Sequence, residues 1–366
     1  MILAAQVTNY QCPACTGPLH FTGSSGMLEC DYCAGKFTIE EIEAQYSEKN
    51  EIAAEQFEKT KDSEWDTSEL NTQWQSQEIK TYICPSCAAE LICDESTAAS
   101  RCPYCGNPTV IPGQFKGTLQ PDFVLPFKLS QQDAIQALNK YYKGKKFLPD
   151  SFKDKNVIKE VQGVYVPFWL FDGKAHVNVM YDATRSHTIT QGQYRLTHTD
   201  HFDVHRVGSI SFEKIPVDSS KNMPDEIMDA IEPFDYRELK PFSHGYLPGF
   251  LAERYSYEVS DCMERADLRI QNSSVIAMRE DVHGYEGCVE KFKDIRIERG
   301  KVYYALMPVY LLSTRFNNSS YLFAMNGQTG KMIGNLPIDQ KKYWMTFAAV
   351  FAAVCAAAGT VLLMLL

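Results

Sequence analysis

The sequence predicts a multidomain protein in which two small β modules precede a central α+β domain and one C-terminal apolar helix. Three observations carry this prediction: four CxxC pairs early in the chain, a long region of alternating aromatic and β-branched runs, and an uncharged segment at the end. The 366 residues leave room for two or three units of ordinary size. The hydrophobic fraction of 45% is that of a folded globular protein, so we expect a sizeable core.

Eight of the 12 cysteines form two sets with the same spacing. Each set has two CxxC pairs that enclose 14 residues, 16–29 in the first set and 88–101 in the second. Two CxxC turns brought together by a β-hairpin supply the four soft ligands that a tetrahedral zinc ion needs. We therefore predict two zinc ribbons, over residues 1–39 and 80–116, each with one structural zinc ion. The predicted ligands are Cys12, Cys15, Cys30, Cys33, Cys84, Cys87, Cys102 and Cys105.

Nothing in the sequence indicates catalysis. Four thiolates close the coordination sphere of zinc and leave no position for water or substrate. The chain has no GxSxG, HExxH or GxGxxG motif, and segment 326–331 departs from a P-loop, so we interpret it as a hairpin turn. His198, His201 and His205 form an HxxHxxxH pattern, but a strand or loop need not place them on one face. We predict no catalytic residue, no cofactor besides zinc and no enzymatic activity.

The charge of the chain disfavours nucleic acid as a partner. The formal net charge is −10, and residues 1–80 carry five Lys or Arg against 14 Asp or Glu, so no basic stripe is present to displace counterions from nucleic acid. Residues 1–10 lack the basic and apolar regions of a signal peptide. Together with the clustered cysteines, this predicts a protein folded in the reducing cytosol.

Two further segments separate and follow the ribbons. Residues 40–79 are strongly acidic and have apolar residues at loosely helical spacing, which indicates an acidic, partly helical linker, with a disordered spacer as the alternative. Residues 117–339 are predicted to form the α+β domain, with helices over 130–142, 224–231 and 258–278, the first with Ser130 as its N-cap. Predicted strands there include 123–129, 164–171, 176–181, 295–298 and 302–314.

Residues 340–366 are predicted to form a juxtamembrane segment and a transmembrane helix. Residues 347–366 contain no charge and are long enough to cross a bilayer. Lys341 and Lys342 precede them, with Tyr343 and Trp344 at the expected interface, which predicts a single-pass cell-membrane protein whose N-terminal bulk is cytoplasmic. Alanines recur every four residues, so another helix, including that of a second copy, could pack closely.

Residues 84–339 also resemble a known family. The segments CPSCAAELICDESTAASRCPYCGNPTVIPGQF, GVYVPFWLFDG, IEPFDY and FAMNGQTGKMIGNLP are similar to bacterial zinc-ribbon membrane proteins common in Firmicutes. Such proteins are often labelled TFIIB-type zinc-ribbon or PriA-like, and some look like partners of SPFH and PspA-type membrane-stress proteins. The resemblance implies the eight zinc cysteines, the membrane segment and such partners, and no catalytic residue. Helicase activity is not expected, because the chain has no P-loop.

These observations favour a membrane-anchored scaffold that recruits cytosolic proteins, such as SPFH or PspA-like proteins, to the membrane. The alternative is a nucleic-acid-binding zinc-ribbon protein of replication or transcription, since many ribbons contact DNA or RNA.

Overall fold

The structure is a computed structural model that describes residues 12–15, 19–22, 25–30, 32–42, 44–45, 55, 57, 63–70, 79–94, 102–105, 107, 111–113, 119–154, 161–191, 194–317 and 319–365. It divides into two compact units. Unit 1 consists of Met1–Thr67, Phe171–Ile215 and Met263–Val302, and unit 2 of Ser68–Leu170, Pro216–Cys262 and Tyr303–Leu366. The first cysteine set therefore belongs to unit 1 and the second to unit 2.

The elements are numbered in chain order. The strands are β1 (Leu19–Thr22), β2 (Met27–Cys30), β3 (Lys36–Phe37), β4 (Ile79–Ile83), β5 (Glu90–Asp94), β6 (Ile111–Gly113), β7 (Phe123–Val124), β8 (Gln162–Gln191), β9 (Tyr194–Asp218), β10 (Lys240–Pro241), β11 (Leu251–Glu253), β12 (Gly287–Phe316), β13 (Ser319–Asn326) and β14 (Met332–Gly334). The α-helices are α1 (Gln131–Tyr142), α2 (Asp150–Asp154), α3 (Asp225–Ile231), α4 (Val259–Glu280) and α5 (Gln340–Leu365). Short 3-10 helices cover Tyr236–Glu238 and His244–Tyr246.

In unit 1 the first cysteine set lies on its own small sheet. Strands β1, β2 and β3 are antiparallel, and Leu28 and Cys30 on β2 point inward in the alternation expected of a half-buried strand. The predicted linker, 40–79, contains helical residues at 40–42, 44–45, 55 and 57. In the later part of the linker, the Trp65 ring packs edge-on against the Phe171 ring, with 4.8 Å between the two ring centroids.

Unit 2 is built on a mixed sheet whose two faces are both covered. The strands pair in the order β10-β7-β12-β8-β11-β5-β4-β6. In addition, β13 pairs with β12, and β14 pairs with β13. On β12, Val309 and Leu311 pack in one cluster with α3, whereas Tyr310 and Leu312 pack in another with α1. Because alternate residues of a strand face opposite sides, this pattern places α3 and α1 on opposite faces of the sheet.

Three predicted helices correspond closely to helices of the structure. Ser130 caps α1 as predicted, because its hydroxyl accepts a hydrogen bond from the Asp133 N–H while the Asp133 carboxylate accepts one from the Ser130 N–H. Helices α3 and α4 begin and end within two residues of the predicted ranges. Segment 326–331 is a hairpin turn between β13 and β14, closed by a hydrogen bond from the Gly330 N–H to the Asn326 carbonyl.

The strands are longer than predicted. The ranges 164–171 and 176–181 are parts of one strand, β8, and the ranges 295–298 and 302–314 are parts of β12. Gly173 and Gly300 lie in the gaps between these predicted ranges, and Gly300 permits the close approach of two backbones. A Cβ on Gly300 would lie 2.6 Å from the Asp172 carbonyl oxygen. Conversely, the strand predicted over 123–129 is limited to Phe123–Val124.

Helix α5 contains the one candidate membrane span among the described residues, Gln340–Gly359, with a mean hydropathy of 1.3 and none of it buried. The predicted combination of two four-cysteine modules, a mixed α and β region and a C-terminal apolar helix is thus confirmed at this level, with a larger share of β-strand than expected.

Candidate metal centres

The backbone of the CxxC turns orients their sulfurs inward. In three of the turns, the N–H of the first cysteine donates to a carbonyl five residues later: Cys30 to Gly35, Cys84 to Ala89 and Cys102 to Asn107, at 2.9 to 3.0 Å. Ala34 and Ala88, which follow a turn, have φ values of 56° and 59°. This is the left-handed region that glycine adopts at lower cost, so both alanines carry some backbone strain.

The eight predicted ligands come together in two groups of four. In each group the four sulfurs lie within 4.8 Å of one another. In the first group the Sγ–Sγ distance is 3.5 Å for Cys12 and Cys33 and 3.4 Å for Cys15 and Cys30. In the second group it is 3.5 Å for Cys84 and Cys105 and 3.7 Å for Cys87 and Cys102.

These distances fit a tetrahedral metal site. Four sulfurs placed about 2.3 Å from a central zinc ion lie about 3.8 Å from one another, close to the separations in both groups. Each group offers only thiol sulfurs as ligands, with no carboxylate or imidazole. Such a set of donor atoms suits a soft or borderline metal ion. Each group could therefore hold one metal ion.

Both groups contain a cysteine that ionises readily. Hydrogen bonds from the backbone N–H of Cys33, and then of Tyr32, lower the pKa of Cys30 to about 7. Burial raises the pKa of Cys84, but the backbone N–H groups of Cys87 and Ser86 outweigh it and lower the pKa to about 7. Thiolates are the metal-binding form of cysteine, so these N–H groups favour the binding form of one cysteine in each group, whereas burial raises the pKa of Cys87 and Cys102 in the second group.

The first group, here called ribbon 1, is open to solvent. Cys12 and Cys30 are buried, but Cys15 and Cys33 are exposed. Tyr32, inside the second CxxC turn, is 79% exposed. Glu29 on β2 accepts hydrogen bonds from Lys36 and Ser25, and these bonds lower its pKa.

The second group, ribbon 2, is part of the core of unit 2. Strand β5, which follows its first CxxC turn, pairs antiparallel with β11, with Leu91 opposite Glu253. Cys84 and Cys102 belong to the same buried cluster as Val166 and Phe168 on β8. Ribbon 2 and the large sheet thus share one hydrophobic core.

A buried polar cluster joins ribbon 2 to β11. The Tyr104 hydroxyl donates to Oε2 of Glu253 at 2.5 Å, and Nδ2 of Asn222 donates to Oε1 at 2.6 Å. Glu253 is 1% exposed, and burial raises its pKa to about 7 although both hydrogen bonds oppose the shift. Arg254, the next residue, forms an ion pair with Glu90 of β5 at 3.0 Å.

This cluster was not predicted from the sequence. One signal was available: Glu253 follows Leu251 and Ala252 in an apolar run, where an acidic residue needs a partner. No spacing pattern could identify the partner, because Tyr104 lies 149 residues away.

The histidine pattern does not form a metal centre. His201 lies 3.2 Å from Asp182 and His205 lies 2.6 Å from Asn178, whereas His198 contacts Asp200 at 3.1 Å. On strand β9, His198 has the opposite parity to the other two and therefore lies on the other face. Among the described residues, the two cysteine groups are the sets of three or more ligands close enough for one ion.

Comparison with known proteins identifies a full-length relative. No family model and no solved structure matches the chain. The chain is similar to the Uncharacterized protein YdjG of Bacillus subtilis (strain 168), with 33% identity over 359 residues that cover 98% of each chain. Because the match extends over both cysteine groups, the large sheet and the apolar helix, this chain belongs to the same family as YdjG.

Proposed function

We propose that this protein is a membrane-anchored scaffold that uses ribbon 1 to recruit cytosolic proteins to the membrane. The observation that carries the proposal is the difference in exposure between the ribbons. Ribbon 2 is covered by the core of unit 2, whereas ribbon 1 presents Tyr32 and two of its cysteines to solvent. An exposed tyrosine on a rigid turn is a suitable anchor for a protein interface.

Zinc is the proposed metal at both sites. The sulfur separations fit the size of a zinc–thiolate tetrahedron, and the reducing cytosol keeps the cysteines as thiols. A bound zinc ion would supply folding energy and rigidity. It would have no catalytic role, because four protein ligands leave no position for a reacting group. The role of the cysteines is thus to hold the ribbon surfaces in shape, which supports docking and disfavours catalysis.

Helix α5 is the proposed membrane anchor. Tyr343 and Trp344, which follow Lys341 and Lys342, are exposed, as are Phe347 and Phe351 further along the helix. Aromatic side chains beside lysines are typical of the membrane interface, and the lysines favour a cytoplasmic position for the preceding chain. The proposed location is the cell membrane, with both ribbons in the cytoplasm.

Proteins of the SPFH or PspA type are the proposed partners, on the basis of the family resemblance of segments 84–339. The test is affinity purification of the full-length protein from detergent-solubilised membranes, followed by identification of co-purifying proteins. Tyr32→Ala is expected to abolish co-purification of an SPFH or PspA-like protein while the metal content stays unchanged. The matched control is Tyr194→Ala, since Tyr194 is 77% exposed in the same unit but lies outside ribbon 1.

Two results would contradict the proposal. Equal recovery of these partners by wild type and Tyr32→Ala would exclude ribbon 1 as the docking surface. Binding of the purified protein to DNA or RNA with an affinity that falls steeply with salt would favour the nucleic-acid alternative instead. The acidic charge of residues 1–80 supports the expectation of weak binding.

A further inference from the structure

The loop between α1 and α2 is fixed to the first turn of α5. The Asp339 N–H donates to the Phe147 carbonyl at 2.7 Å, and the Phe147 ring meets Tyr343 edge-on at 5.6 Å. Lys342 completes the contact, because its Nζ lies 2.8 Å from Oδ2 of Asp150 and 3.2 Å from the Leu148 carbonyl. The loop therefore stays beside the start of the apolar helix.

This arrangement brings lysines together. Lys143, Lys145 and Lys146 are exposed on the loop, and among the described residues no carboxylate forms an ion pair with them. Lys145 also lies over the Tyr141 ring, with Nζ 5.1 Å from its centroid. Consecutive Cα atoms are 3.8 Å apart, so the Cα of Lys145 lies within about 8 Å of that of Phe147.

The charge of this surface is opposite to that of the chain. The basic surface is defined by Lys143, Lys145, Lys146, Lys341 and Lys342. Its acidic neighbours are Asp150, which pairs with Lys342, and Asp339, which accepts hydrogen bonds from the N–H groups of Lys341 and Lys342. Five lysines against two aspartates leave a positive excess in a protein whose net charge is −10.

We propose that this basic surface binds the anionic lipid headgroups of the membrane that α5 enters. The exposed rings of Tyr343 and Trp344 mark the interface level of α5, and the lysine loop contacts the same turn. Clusters of lysines next to a membrane helix are attracted to anionic lipids, about fivefold per residue. This contact holds unit 2 against the surface of the bilayer, in addition to the anchoring that α5 supplies.

This inference rests on the proposed membrane anchoring, and the test separates the two. The full-length protein is placed in lipid nanodiscs of phosphatidylcholine, with or without phosphatidylglycerol, and backbone amide exchange is measured by mass spectrometry. Amides of α5 report insertion in both lipids. Amides of residues 141–149 report the contact with headgroups.

We expect α5 to be protected in both lipids, and 141–149 to exchange more slowly only with phosphatidylglycerol, an effect that high salt removes. In Lys145→Glu/Lys146→Glu the loss of two attractive charges weakens the contact about 25-fold, and the lipid-dependent protection is lost. The control Lys221→Glu/Lys240→Glu makes the same change in net charge at exposed lysines in other parts of the chain. This control should retain the lipid-dependent protection of residues 141–149.

A protected α5 with identical loop exchange in both lipids would overturn the lipid contact and leave the anchor intact. A freely exchanging α5 with a loop that still responds to phosphatidylglycerol would refute the anchor alone. If neither segment responds, both proposals are wrong.

Discussion

Ribbon 1 and ribbon 2 each have a tyrosine before the last cysteine, and the two tyrosines have opposite surroundings. Tyr32 is 79% exposed, whereas Tyr104 is 6% exposed and donates a hydrogen bond to buried Glu253. The cysteine spacing is the same in both ribbons, and the sulfur distances are similar, at 3.4 to 3.5 Å in ribbon 1 and 3.5 to 3.7 Å in ribbon 2. The difference therefore comes from the rest of the chain, which covers one module with a sheet and leaves the other on a separate small sheet.

This difference separates two roles for one motif. In ribbon 2 the cysteines are part of the hydrophobic core, so metal binding and folding of unit 2 should be coupled. In ribbon 1 the metal would organise only a three-stranded sheet and an exposed turn. We expect changes at equivalent positions to have large effects in ribbon 2 and small ones in ribbon 1.

The largest contrast is expected for loss of one ligand. Cys102→Ser should remove most of a metal-binding free energy of about 10 kcal/mol, comparable to the whole stability of a domain, so unit 2 should not fold stably. Cys30→Ser should lose one metal ion while the amides of β8 in unit 2 keep their protection. Metal content and amide exchange of the two variants check this, and equal loss of β8 protection in both would contradict the comparison.

A smaller contrast is expected for the tyrosine hydroxyls. Tyr104→Phe leaves the buried Glu253 carboxyl with one donor fewer, which should lower the free energy of unfolding by about 1 to 3 kcal/mol. Tyr32→Phe changes an exposed side chain and should alter it by less than about 0.5 kcal/mol. Urea unfolding in detergent micelles gives both values; similar midpoints for the two variants would show that the Tyr104 hydrogen bond contributes little.

Glu253 should give unit 2 a pH dependence. Burial raises its pKa to about 7 in the folded state, above the ordinary 4.5, so the neutral form stabilises the fold and this contribution is lost as pH rises through 7. Between pH 6 and 8 we expect a loss of about 1 kcal/mol of stability from this group. Glu253→Gln stays neutral and should remove that part of the slope. An unchanged slope in the variant would show that Glu253 does not titrate in this range.

The smallest effect should be the same in both ribbons. Ala34 and Ala88 have positive φ, so Ala34→Gly and Ala88→Gly should each stabilise their own ribbon by about 0.5 to 1 kcal/mol, because glycine adopts this conformation without a Cβ clash. Zinc affinity measured by competition with a chelator should rise slightly in both variants. A decrease would indicate that the alanine methyl groups contribute packing.

The sequence predicted local features well and long-range ones poorly. The ligand sets, the cap at Ser130 and the apolar helix depend on short spacings, which the chain displays directly. The burial of Tyr104 depends on β5 pairing with β11, about 160 residues later in the chain, and no local pattern predicts such a pair. The continuity of β12 through Gly300 was missed for the same reason, since the close contact of Gly300 with Asp172 is not local.

Stepwise metal removal tests most directly whether one ribbon is integral to the core and the other peripheral. The purified full-length protein in detergent is treated with a chelator while released zinc and aromatic circular dichroism are recorded together. We predict two zinc ions per chain: one released quickly from exposed ribbon 1 without a change in the aromatic signal, and one released slowly from ribbon 2 with loss of that signal. Absence of zinc, or release of both ions in one step with the aromatic signal intact, would contradict the account.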